Sequence, residues 1–167
     1  MVGVDLMKQA ASELWAEAVA RDLLFSGAIQ QGASSGNLSQ LQIKNPAASG
    51  KQMYVVSLRL NSGGATFARM GRSDSALGTD VTTFGTMALG SGKASVADLN
   101  RGVVASASGL FASSGYIREV DVDPASDTEA IHPRFPFRLP PGVGLVVEAT
   151  VANLALGASI LWVELDA

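Results

Sequence analysis

The chain has 167 residues, a net charge of −3 from 12 basic and 15 acidic side chains, one histidine and no cysteine. Disulfides, thiolate nucleophiles, Cys/His zinc frameworks and multi-histidine metal sites cannot be assembled from one such copy, and the length is that of one domain burying about 70% of its unfolded surface. No basic run offers a footprint for a phosphate backbone, so nucleic acid is not an expected partner.

No apolar stretch approaches the roughly 20 residues of a spanning helix, and the N-terminus lacks the layout of a signal peptide. A soluble chain made in the cytoplasm, with no membrane partner, is the expectation. Only 16% of the residues are charged, against about 25% in ordinary soluble domains, and the mean hydropathy is positive, +0.26. Charge is thinnest after Arg138, where the remaining 29 residues hold no Lys or Arg and only Glu148, Glu164 and Asp166 as acids. A monomer exposing that surface would adhere to others, so composition predicts β surfaces that face other subunits of a homo-oligomer.

Residues 4 to 22, VDLMKQAASELWAEAVARD, contain neither Gly nor Pro and are rich in helix formers. Met7, Ala11, Leu14, Trp15 and Ala18 recur at helical spacing as one apolar stripe, with Asp5 as a plausible N-cap. The stripe either packs on its own domain or serves as an arm that anchors to a neighbour; Met7, Leu14, Trp15 and Ala18 are the candidate anchor residues. The composition breaks near residue 26, which divides the chain into a helical arm, 1–26, and a β domain, 27–167.

Beyond that break, Gly, Ser and Asn clusters separate short alternating runs, the pattern of an all-β sandwich of about eight strands. Candidate strands are 39–44, 52–60, 65–71, 82–89, 102–111, 115–122, 143–152 and 158–165. In 52–60, strict alternation places Tyr54, Val56, Leu58 and Leu60 on one face. In 143–152 both faces are largely apolar, as in a strand covered on both sides. Four prolines within 132–142 exclude that segment from a central strand and make it an edge crossing or extended connection.

Several short motifs invite chemistry. Gly32-Ala33-Ser34-Ser35-Gly36 matches the G-x-S-x-G of a nucleophile elbow, which requires a strand before it, a helix after it and a histidine base. His132 is the sole histidine. Gly90 to Ser95 resembles the end of a phosphate loop, but Ala94 stands where a Ser or Thr should follow Lys93. Glu119, Asp121, Asp123, Asp127 and Glu129 could hold Ca²⁺ or form the wet face of a strand. Asn37-Leu38-Ser39 is a formal glycosylation sequon. Arg134, Phe135, Phe137 and Arg138 combine aromatic and cationic groups and are the candidate surface-recognition residues. No catalytic constellation and no cofactor site is predicted.

The sequence of an N-terminal helix, Ser/Gly-turned strands and the ending FPFRLPPGVGLVVEATVANLALGASILWVEL resembles the small jelly-roll structural proteins of tailed bacteriophage virions. That resemblance implies a jelly-roll-like antiparallel β-sandwich after one helix, commonly a homotrimer, that acts without catalysis as a capsid decoration (cement) subunit. It further implies the major capsid protein or another virion protein as partner, and a location in the virion. The alternative it leaves is a receptor- or glycan-binding module of a tail or fibre.

Overall fold

Short β-branched runs bounded by glycine and asparagine leave most of the chain no route to bury its apolar residues except as paired strands. The computed structural model describes residues 13, 16–18, 21, 23–77, 87–88, 94–105, 116–124, 127–131 and 136–167. Among them run β1 (Leu24–Gln31), β2 (Leu38–Lys44), β3 (Lys51–Ser62), β4 (Thr66–Ser73), β5 (Met87–Ala88), β6 (Asp98–Val104), β7 (Tyr116–Val122), β8 (Thr128–Ile131), β9 (Phe137–Leu139), β10 (Gly144–Ala149) and β11 (Leu156–Asp166).

They form two antiparallel sheets, so the all-β sandwich read from the sequence is what the chain adopts. The first has the order β5-β1-β11-β3-β8, with β9 sharing the β3 edge; the second has the order β6-β2-β10-β4-β7. Pairing is nested: β4 with β7, β3 with β8 and β9, β2 with β10, β1 with β11. The long excursion between β4 and β7 contributes β5 and β6, which extend the two sheets beside β1 and β2. The turns β1–β2, β3–β4, β7–β8 and β10–β11 lie at one end, called upper here; the chain enters β1 and leaves β11 at the lower end.

Inward positions of both sheets supply one core, in which Leu41, Met53, Val55, Leu58, Leu60, Met70, Leu145 and Trp162 are at most 1% exposed. Each such side chain contributes about 1.5–3 kcal/mol by leaving water. Trp162 is the largest, and Phe25 stacks on it with ring centroids 6.1 Å apart. β10 is buried at all six positions, as two-sided apolar patterning requires.

Strict alternation in β3 does not hold. Leu161 faces Ser57 while Trp162 faces Val55, so Val56 is the extra residue of a β-bulge. The bulge lets Val55 and Leu58 both point inward and turns Val56 to the outer face, joining Ala18, Leu24 and Val163 in a second buried cluster. Leu23 N donates to Ala18 O (2.8 Å) and Glu164 N to Leu23 O (3.1 Å), which ties the helical residues at 16–18 to the start of β1.

β1 begins at Leu24, ahead of the composition break, and its fit depends on Gly27. A Cβ there would lie 2.8 Å from Leu99 Cδ1 and 3.1 Å from the Trp162 ring, and this close approach lets β6 fold over the β1 edge, where Arg101 Nη1 donates to Gln30 O (3.1 Å). Gly27→Val is expected to destabilise the fold by about 1–3 kcal/mol through overpacking, read as a lowered urea midpoint at an unchanged slope.

Candidate functional site

The outer face of the first sheet is divided in two. Its lower half is apolar and seats Ala18, 1% exposed, on Leu24, Val56 and Val163, with Tyr54, Leu161 and Leu165 around it. Its upper half is a trough of small side chains. Ser26 and Ala28 on β1, Ser57 on β3 and Ser159 on β11 line a hollow of about 560 Å³ in which Arg59 is the charged lining residue. A second hollow of about 370 Å³ continues past Gln30, Asn61 and Gly157. Ala28 and Ser159 are exposed. Outward positions on the same three strands thus change from Val and Leu to Ser, Ala and Gly, so the helical segment is held at one half and the other half is left shallow and nearly uncharged.

Two carboxylates are buried. Glu164, 3% exposed, accepts from Trp162 Nε1 (3.0 Å), Val96 N (3.1 Å) and the Ser95 hydroxyl, clasping residues 94–97 onto the end of β11. Glu148, 0% exposed, sits on the outward side of β10 and accepts from Gln40 Nε2 (2.6 Å). In register beside it on β4 is Arg69, whose Nε donates to Glu119 (3.1 Å). On the same side Gln42 donates to Ser75 O (2.8 Å) and accepts from Leu77 N (3.0 Å) and Asn100 Nδ2 (3.1 Å). These polar groups hold chain segments over the sheets.

The recognition segment lies partly within the described residues. β9 carries Phe137, half-buried against the core, and the exposed Arg138; Arg134 and Phe135 lie outside the described residues, as does His132. One face of the Phe137 ring is taken by the Arg72 guanidinium, 5.0 Å from its centroid, and Arg72 Nη2 donates to Arg138 O (3.4 Å). Arg138 Nε donates to Gln52 Oε1 (2.9 Å). The backbone here is fixed by Asn45, fully buried, whose Nδ2 donates to Leu139 O (2.9 Å). Arg72 is 65 residues from Phe137 in sequence, and no local signal joins them.

Of the anchor residues, Ala18 is buried within its own chain, and Met7, Leu14 and Trp15 lie outside the described residues. The G-x-S-x-G stretch is the β1–β2 turn, followed by a strand where an elbow needs a helix. It is fastened to the β10–β11 turn by Gly36 N to Asn153 Oδ1 (2.6 Å) and Asn153 N to Asn37 O (3.1 Å). Residues 90–93 of the phosphate-loop-like stretch are outside the described set. Val120 and Val122 of the acidic run enter the core while Glu119 and Asp121 face outward, the arrangement of a strand's wet face. Among the described residues no three His, Cys, Asp or Glu side chains are placed to share a metal ion, and no helix is long and apolar enough to cross a membrane. At the C-terminus the Lys51 ammonium, hydrogen-bonded to Asp166 (2.5 Å), holds that carboxyl below its ordinary range.

Glu164→Ala strands the Val96 N–H without an acceptor and leaves Trp162 Nε1 only the Ser95 hydroxyl (3.2 Å), and is expected to cost about 1–3 kcal/mol, with a red-shifted Trp162 emission as residues 94–97 come loose. Chemical denaturation followed by tryptophan fluorescence checks both. No protein-family model matches the chain, and neither a curated protein nor a solved structure matches it.

Proposed function

We propose that this chain is a non-enzymatic structural subunit of a phage virion, a jelly roll that self-assembles, with a trimer as the expected form, and docks on a capsid shell that it reinforces. The observation that carries the reading is the upper trough of the first sheet, an exposed and nearly uncharged surface on rigid central strands. Its small outward side chains, Ser26, Ala28, Ser57 and Ser159, with Gly157, leave room for another chain to approach the sheet closely. Nested pairing of β1 to β11, β2 to β10, β3 to β8 and β9, and β4 to β7 supports the jelly-roll reading, because wrapping one long hairpin into two four-stranded sheets produces that order. β5 and β6 are then additions within the connection at the hairpin's tip.

Cementing follows from mass action: a subunit that binds only the assembled shell stabilises it by its binding free energy. Ala18 is occupied on its own sheet, so in this account the arm engages the shell through Met7, Leu14 and Trp15.

Ala28→Arg places a charge in the trough at an exposed position, where the cost to folding is within about 0.5 kcal/mol. The variant is expected to shift the protein from oligomer to monomer in sedimentation velocity at unchanged circular dichroism. Trp15→Ser with Leu14→Ser is expected to leave the oligomer intact and abolish co-sedimentation with shells. A parent protein that is monomeric at all concentrations, or shell binding indifferent to the arm, overturns the respective part.

A further inference from the structure

The polar groups of the upper trough are left without work inside the chain. Register across β1, β11 and β3 sets Ser26, Leu161 and Ser57 in one outward row and Ala28, Ser159 and Arg59 in the next. Ser57 is only 7% exposed, yet it lines the larger hollow, and its hydroxyl has no hydrogen-bond partner among the described residues. Arg59 lines the same hollow and is exposed, and none of the ion pairs among the described residues uses it. Glu129 stands opposite Arg59 on β8, outside the lining, and no ion pair joins the two.

A hydroxyl taken out of water without a partner destabilises the fold that holds it, so such a group calls for an explanation. Here it opens into a hollow that offers serine hydroxyls and one guanidinium, with no acid among the described lining residues. The planar fork of a guanidinium matches the two oxygens of a carboxylate, and hydroxyls can donate to the lone pairs that remain. A second copy brings acid in excess, since each chain carries 15 acidic against 12 basic side chains. That acid lies outside the trough. Two troughs facing each other about a twofold axis would bury two guanidiniums with no acid from either lining, which is unfavourable. A head-to-tail contact, in which the trough meets a different patch of the next copy, avoids this and closes into a ring where the rotation permits.

We propose that the trough is a carboxylate site, which takes an acidic side chain from outside the trough of a neighbouring copy, with the Arg59 guanidinium as its main partner and the Ser57 and Ser159 hydroxyls as further donors. The proposal rests on the reading of the trough as an assembly surface, and adds to it the chemistry of the occupant and the polarity of the contact. Each copy receives an acid in its trough and offers one from another patch. The smallest ring that such a contact closes is a trimer.

The test is sedimentation velocity of the full chain over a range of concentrations, for the parent and for R59E, R59K and S57A, with urea denaturation of each alongside. R59E is expected to weaken association at least about tenfold at unchanged circular dichroism, and R59K to weaken it less, because an ammonium keeps the charge and loses the fork. S57A is expected to weaken association several-fold while leaving the urea midpoint in place, since the hydroxyl has no bond within the chain to lose; a serine with a merely structural role would move the midpoint instead. At equal ionic strength, sodium acetate is expected to dissociate the parent oligomer more than sodium chloride does. An oligomer indifferent to R59E and S57A but lost in Ala28→Arg overturns the carboxylate contact while leaving assembly through the trough standing. Acetate no more effective than chloride likewise overturns the carboxylate contact, and a dimer as the terminal species overturns the head-to-tail arrangement. A parent that is monomeric throughout overturns both this proposal and the assembly reading beneath it.

Discussion

Strand β11 is paired on both sides, to β3 along its whole length and to β1 from Leu156 to Val163, and the rest of the molecule is arranged by what its two faces carry. Inward, Trp162 fills the space between the sheets and Glu164 accepts from it and from two donors, the Ser95 hydroxyl and Val96 N, that fasten residues 94–97. Outward, Val163 helps to seat Ala18, and Ser159 and Gly157 leave the trough. Because side chains on a strand alternate with period two, one register fixes all of these at once. A slip by one residue would put Glu164 outside and Val163 in the core.

The bulge at Val56 makes that register usable. Without it β3 would present Val56 inward and lose the outer contact that holds the N-terminal segment. The outer face is thereby divided into an apolar seat and an uncharged trough, and the low overall charge of the chain acquires a location.

Much of the architecture was legible in the sequence because it rests on local rules. The two-sided apolar run at 143–152 contains the fully buried β10, although the strand ends at Ala149 and Val151 is exposed in the turn that follows; the alternation at 158–165 places Trp162 inward and Val163 outward, and the four prolines mark a segment in which β9 pairs on the β3 edge. β1 was not legible. LFSGAIQQ has weak strand character, and only the approach of Leu99 and Trp162 gives Gly27 its purpose. Nor does alternation reveal a bulge, since the extra residue is selected by a partner strand 100 residues away. Glu148, Glu164, Gln40 and Gln42 read as surface groups and are buried, because segments distant in sequence fold over them. Of the candidate recognition residues, Phe137 and Arg138 are brought together with Arg72, whose side chain reaches β9 from β4 of the other sheet.

The central claim is that the chain is a component of a virion, and the direct measurement is quantitative mass spectrometry of purified particles against the major shell protein. This account predicts the chain in a fixed ratio to the shell protein, retained through density-gradient purification. Its absence from particles that are otherwise complete would contradict the account.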